Sequence, residues 1–292
     1  MSSDRQTVVL ATVDGSIEAA DGVLVASQLA RAWGAELHVV HVWSGMTLPL
    51  IAPAAEGAAR RLLADEVAGA VRKGAAVSDQ HFLIGSVAAE IELLGDELDA
   101  VLCVMGQHRR SRVGRVLFGS VAAEVLRMTV RPLLLVSSAA DWPPTRVLVG
   151  DDGSPAALAA ARMAARITNL YHAELQLVCA DNSPLGRGSA GVQATAAEAA
   201  LAADGHQLEP LAGGAVRVIV AHASPFAVLL GGGDPRGTRT LVAVGSRQHG
   251  GIQRLLEGSV SLKLVRAAAA LLVVPADNPE SGPQRGPFTG AD

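Results

Sequence analysis

The chain has 292 residues, enough at roughly 100–200 residues per domain for two compact domains. Half of its residues are apolar, yet no apolar run approaches the ~20 residues that a membrane helix needs. A net charge of −4 with mixed signs offers no basic face for nucleic acid, and 3% aromatics offer no stacking platform for bases.

The N-terminus leads straight into an apolar strand pattern without the layout of a secretory signal, so a cytoplasmic location is expected. Cys103 and Cys179 lie inside apolar strand-like runs and read as buried free thiols in a reducing compartment.

In chain order, Thr7–Val13 is a β-branched strand ending at Asp14-Gly15, and Ser16–Trp33 follows with apolar residues at helical spacing until Gly34. Leu37–Val42 is a second strand, Ala55–Lys73 a helix closed by Gly74, and Val77–Ile84 a third strand with a polar centre. Val87–Leu98 is helical, Ala100–Met105 is an apolar strand ending at Gly106, Gly119–Met128 is the last helix and Leu133–Val136 the last strand.

The pattern then restarts. Val13-Asp14-Gly15-Ser16 returns as Asp151-Asp152-Gly153-Ser154, Ala35-Glu36-Leu37 as Ala173-Glu174-Leu175, and Gly119-Ser120-Val121 as Gly258-Ser259-Val260. The offset is about 138 residues, a whole domain, so this is duplication rather than a solenoid. The expected domains are 1–138 and 146–276, joined by a linker at 139–145 containing Pro143-Pro144. Residues 277–292, polar and rich in Pro and Gly, are expected to be a disordered tail, and the alanine-rich stretch Gln193–Ala203 a surface helix.

Strands this apolar, separated by helices, must be covered on both faces. The predicted fold is α/β: two tandem doubly wound parallel sheets, Rossmann-like, of five strands each in the order 3-2-1-4-5. Ligands of such sheets sit beyond the strand C-termini where the order reverses, between strands one and four. Asp14 and Gly106 border that point in the first half, and Asp152 and Gly245 in the second. A helix opening at Gly119-Ser120 presents unpaired N–H groups and a positive dipole end, which suit phosphate, although the same pair also serves as a simple cap.

At these residues the sequence resembles the universal stress protein family. That family carries Gly-x2-Gly-x9-Gly-Ser/Thr between strand four and the last helix, and its nucleotide-binding members hold ATP phosphates there. The chain has Gly106-x2-Arg109-x9-Gly119-Ser120 and Gly245-x2-Gln248-x9-Gly258-Ser259. The resemblance implies a nucleotide site of Asp14, Val42, Gly106, Arg109, Gly119, Ser120 and Val121. Its second copy is Asp152, Ala180, Gly245, Gln248, Gly258, Ser259 and Val260. The aspartates would contact adenosine, and the backbone at Val42 and Ala180 would read adenine. The expected ligand is ATP, with Mg²⁺ as its companion ion.

The middle glycine is replaced in both halves. A glycine there permits φ > 0 and leaves space for phosphate oxygens, whereas Arg109 and Gln248 add a Cβ and a long side chain. Against this, Arg109, Arg110, Arg112 and Arg115 bring positive charge suited to pairing with phosphate, although a charged loop is usually only a solvated one. Two functions follow: an ATP-binding stress-response regulator with degenerate phosphate loops, or an interaction scaffold of the same fold that binds no nucleotide.

Other constellations are weaker. His38 and His41 are three apart on a strand, point to opposite faces and cannot share a metal. Asp151-Asp152 offers carboxylates to Mg²⁺, but adjacent acids at a strand end are commonly solvated. Gly231-Gly232-Gly233-Asp234-Pro235 lacks the Lys-Ser/Thr of a P-loop and reads as a turn. No nucleophile–base pair stands at informative spacing, so no enzymatic activity is expected. The apolar last strands Leu133–Val136 and Leu271–Val274 are expected to pair with each other as an intrachain pseudo-dimer, and whole chains to form dimers, as family members commonly do.

Overall fold

A computed structural model describes residues 7–45, 52–107, 120–139, 142–180, 190–221, 223–231, 239–246, 264 and 267–276. The chain divides into two compact units between Ala140 and Asp141. The tail expected at 277–292 lies outside the described residues.

The first unit runs β1 (Val8–Thr12), α1 (Ile17–Trp33), β2 (Glu36–Trp43), α2 (Ala52–Arg72), β3 (Asp79–Ile84), α3 (Val87–Glu97), β4 (Ala100–Gly106), α4 (Ser120–Met128) and β5 (Leu133–Val136). All pairings are parallel: β1 lies between β2 and β4, β3 flanks β2, and β5 flanks β4. The order is the expected 3-2-1-4-5, and it reverses between β1 and β4. Val9, Leu10 and Ala11 of β1 are fully buried, as a central strand covered on both faces requires.

Local chemistry sets the helix ends. Ser16 is the N-cap of α1, its Oγ accepting from the Ala19 N–H at 3.1 Å. Gly34 ends the helix in the left-handed region, and the N–H groups of Gly34 and Ala35 bond to the Arg31 and Ala30 carbonyls. α1 packs on β1, β4 and α2, whereas α3 packs on β2, β4 and α4. Buried Arg131, just before β5, ties down α3 by donating to Asp96 Oδ1 at 2.6 Å and to the Glu92 carbonyl at 3.0 Å. Cys103 is buried in β4, and burial pushes its thiol up to about 12.

The second unit repeats the plan: β6 (Arg146–Gly150), α5 (Pro155–Tyr171), β7 (Glu174–Ala180), α6 (Ala190–Ala212), β8 (Val216–Ala221), α7 (Pro225–Gly231), β9 (Thr240–Ser246) and β10 (Ala270–Pro275). Here β6 lies between β7 and β9, with β8 and β10 flanking, again all parallel. The alanine-rich stretch falls within α6, helical as expected. Trp142, assigned to the linker by its prolines, packs edge-on against Tyr171, and its Nε1–H donates to the Tyr171 hydroxyl at 3.2 Å. The second unit's packing thus starts before its first strand.

Candidate functional site

Each unit builds the same strand-to-helix turn at its sheet reversal. After β1, the Val13 N–H donates to the Val40 carbonyl at 2.9 Å and the chain turns away. Asp14 Oδ1 accepts from the Ser16 N–H at 3.0 Å, and Gly15 takes φ 84°, left-handed, directly under Leu62 of α2. In the second unit Asp151 N–H bonds to the Val178 carbonyl, Asp152 Oδ1 accepts from the Ser154 N–H at 3.1 Å, and Gly153 has φ 71°. Ser154 caps α5 through the Ala157 N–H, and Pro155 fills the first helical position, where no N–H is needed. Asp14 and Asp152 therefore shape the turns that place them at the crevice.

A cavity opens beyond the strand ends of each unit. The first, about 360 Å³, is lined by Asp14, Val42, Met105, Gly106, Gln107 and Val121, with Val87 and Ile91 of α3 among its further walls. The second, about 260 Å³, is lined by Asp151, Asp152, Ser154, Ala180, Leu229 and Gly245. The larger volume falls in the range of small-ligand pockets. The structure thus brings together Asp14, Val42, Gly106 and Val121 around one cavity, and Asp152, Ala180 and Gly245 around the other. Ser120 is the first residue of α4. Arg109, Gly119, Gln248, Gly258, Ser259 and Val260 lie outside the described residues.

The two strand-end glycines have a packing reason. A Cβ at Gly106 would overlap the backbone of Glu18 and Ala19 in the first turn of α1, and one at Gly245 would overlap Ala156 and Ala157 of α5. Gly22 continues the close approach, since its Cβ would stand 3.2 Å from the Gly106 nitrogen. Glycine is required here by helix–strand contact, whatever occupies the crevice.

Two buried polar residues add to the cavities' lining: Gln107, not singled out by sequence, and Asp151, named there only as a candidate Mg²⁺ carboxylate beside Asp152. Gln107 is 4% exposed and its Oε1 has no hydrogen-bond partner among the described residues. Asp151 is 5% exposed, its Oδ1 accepts from the Gly153 N–H at 2.8 Å, and its Oδ2 has no partner among the described residues. The expectation of a solvated Asp151-Asp152 pair is corrected: Asp152 is exposed, but Asp151 sits where the first unit has buried Val13. Burial pushes the Asp151 carboxyl up, the Gly153 N–H opposes this, and Asp204 and Asp152 add to the rise. On α2, burial and then the charge of Asp14 raise the Glu66 carboxyl. An unpaired buried acceptor costs roughly 1–3 kcal/mol, and a ligand N–H or O–H group relieves that cost.

These features define a tandem doubly wound α/β protein with one crevice at the reversal point of each sheet. The Universal stress protein family model matches residues 7–137 and again 144–275. The chain belongs to that family. A universal stress protein from Archaeoglobus fulgidus DSM 4304 is 19% identical, covering 92% of this chain and 98% of that one, with a TM-score of 0.69. A putative universal stress protein from Pseudomonas aeruginosa UCBPP-PA14 is 17% identical, covering 93% and 94%, with a TM-score of 0.62. The universal stress protein from Archaeoglobus fulgidus in complex with dAMP is 27% identical over 44% of this chain and 96% of that one, with a TM-score of 0.34. Comparison with curated proteins gave no match.

Proposed function

We propose that this chain is a stress-response regulator that binds an adenine nucleotide in its crevices and acts through ligand-dependent conformation or partner binding rather than turnover. The observation that carries the reading is the repeated crevice at the sheet reversal, bounded by a strand-end aspartate and holding one buried acceptor without a partner among the described residues, Gln107 Oε1 or Asp151 Oδ2. Such acceptors suit the N–H and O–H donors of a nucleoside, and the start of α4 at Ser120 suits a phosphate group. The apolar walls, among them Val42, Val87 and Ile91, suit a base.

The test is mass spectrometry of small molecules released on denaturing the purified full-length protein, followed by assay for ATP hydrolysis. An adenine nucleotide released in stoichiometric amount, without turnover, is the expected result. Release of no nucleotide, with none taken up on incubation with ATP, would leave the scaffold of the same fold as the reading.

A further inference from the structure

Away from both crevices, β2 and β3 bring a second set of polar groups together. The strands are parallel, with His38 opposite Asp79 and Val40 opposite His81. Alternate residues share a face, so Glu36, His38, Asp79 and His81 project together. His38 Nδ1 lies 2.9 Å from His81 Nε2, and His38 Nε2 lies 3.3 Å from Glu36 Oε2. Asp79 Oδ2 is 3.9 Å from His81 Nε2. One ligating atom each from His38, Asp79 and His81 falls within 4.8 Å of the other two. His38 is buried whereas the Asp79 side chain is 61% exposed, so the group opens to solvent on one side. His41 belongs to the other face, where its Nδ1 bonds to the Val13 carbonyl.

The second unit supplies an internal control. Its matching positions are Glu174, Gln176, Arg217 and Ile219, with Gln176 opposite Arg217 and Val178 opposite Ile219 in the same register. There Gln176 Nε2 donates to Glu174 Oε1 at 2.8 Å, and Arg217 pairs with the same carboxylate at 3.3 Å. The fold is satisfied by an amide, a guanidinium and an aliphatic side chain. It does not demand two histidines and an aspartate at this place.

We propose that His38, Asp79 and His81 form a binding site for a divalent transition-metal ion, with zinc the ion that their donor set suits. Two imidazole nitrogens and a carboxylate oxygen match the three protein ligands of an open zinc site, leaving the fourth position to water on the exposed side. In a tetrahedral site with bonds near 2.0–2.1 Å, neighbouring ligand atoms stand about 3.3 Å apart, so the two imidazole nitrogens at 2.9 Å need part by only a few tenths of an ångström, while the exposed Asp79 carboxylate swings further inward. Glu36 accepts the Nε2–H of His38 and so fixes the tautomer that turns Nδ1 toward the ion, the carboxylate–histidine–metal arrangement. The ion would tie β3, the outer strand of this unit, to β2.

The test uses the untagged full-length protein, stripped with chelator and titrated with zinc chloride by calorimetry, and with cobalt(II) chloride by visible absorption. One zinc per chain and an intense tetrahedral cobalt spectrum are expected, and zinc should raise the melting temperature of the chain. The double variant His38→Gln, His81→Ile copies the residues the second unit uses, and it should lose the zinc and the cobalt bands. Glu36→Gln should weaken zinc affinity tenfold to a hundredfold. No zinc uptake by the wild type, or uptake unchanged in the double variant, would overturn the proposal. Should the double variant not fold, the coordination of cobalt in the wild type decides: paramagnetic shifts on His38 and His81 support the site, and their absence refutes it.

Discussion

Gly106 at the end of β4 touches the backbone of Ala19 in the first turn of α1, with no room between them for a methyl group. Gly245 and Ala156 repeat the contact in the second unit. Gly106→Ala and Gly245→Ala must each push a capped helix off its sheet, and each should cost about 1–3 kcal/mol or more. Gly34→Ala is the contrast: its φ of 63° carries roughly 1 kcal/mol of strain, but a Cβ there meets nothing within 4 Å among the described residues beyond its own helix and chain neighbours. Urea denaturation of the three variants should rank both crevice glycines above Gly34. A smaller loss at Gly106 and Gly245 would remove the packing explanation.

Asp151 makes stability depend on pH. Its folded-state carboxyl is raised above the ordinary value, so protonation favours the folded chain. Its contribution is fully present below the ordinary carboxylate range and is lost as pH rises through the raised value. Asp151→Asn keeps an acceptor for the Gly153 N–H and cannot ionise. It should stabilise the protein at neutral pH by on the order of 1 kcal/mol and flatten the rise in stability between neutral and mildly acidic pH. Calorimetric melting across that range checks this, and a variant less stable than wild type at pH 7 would contradict it.

The two crevices should differ in affinity. The first is larger, about 360 against 260 Å³, and keeps apolar Val13 where the second buries an ionisable group. Asp14→Ala should therefore weaken ATP binding more than Asp152→Ala. Titration calorimetry showing equal losses, or the reverse order, would end the ranking.

Arg109 stands where the family's phosphate loop has glycine. Arg109→Gly restores conformational freedom and room, worth on the order of 1–3 kcal/mol, and should tighten ATP binding roughly five- to hundredfold. Weaker binding with a flatter salt dependence would show instead that the arginine pairs with phosphate.

Much of this architecture was legible in the sequence because its signals are local. The strand end at Asp14-Gly15, the helix that follows from Ser16 and their repeat at Asp152-Gly153-Ser154 were read directly, and the structure adds the Asx turns, left-handed glycines and serine caps that make those ends. Continuous apolar runs between helices gave the parallel, doubly covered sheet, whereas the order 3-2-1-4-5 was an expectation for such a sheet that the strand pairings bear out in the first unit. Gly106 and Gly245 were found as residues, but their reason was not: only the packed helix shows that α1 and α5 need the space. Asp151 was read as solvated because the cavity it lines is walled by residues remote in the chain, such as Leu229 of α7. The His38–His81 pair was invisible for the same reason, since β2–β3 register joins residues 43 apart in the chain.

Nucleotide binding by the crevices is tested most directly by calorimetric titration of ATP into the full-length protein, alongside a variant carrying both Asp14→Ala and Asp152→Ala. Saturable binding to no more than two sites per chain, one for each crevice, with marked weakening in the double variant, is the predicted result. Absence of binding to the wild type, or binding untouched by loss of both aspartates, would contradict it.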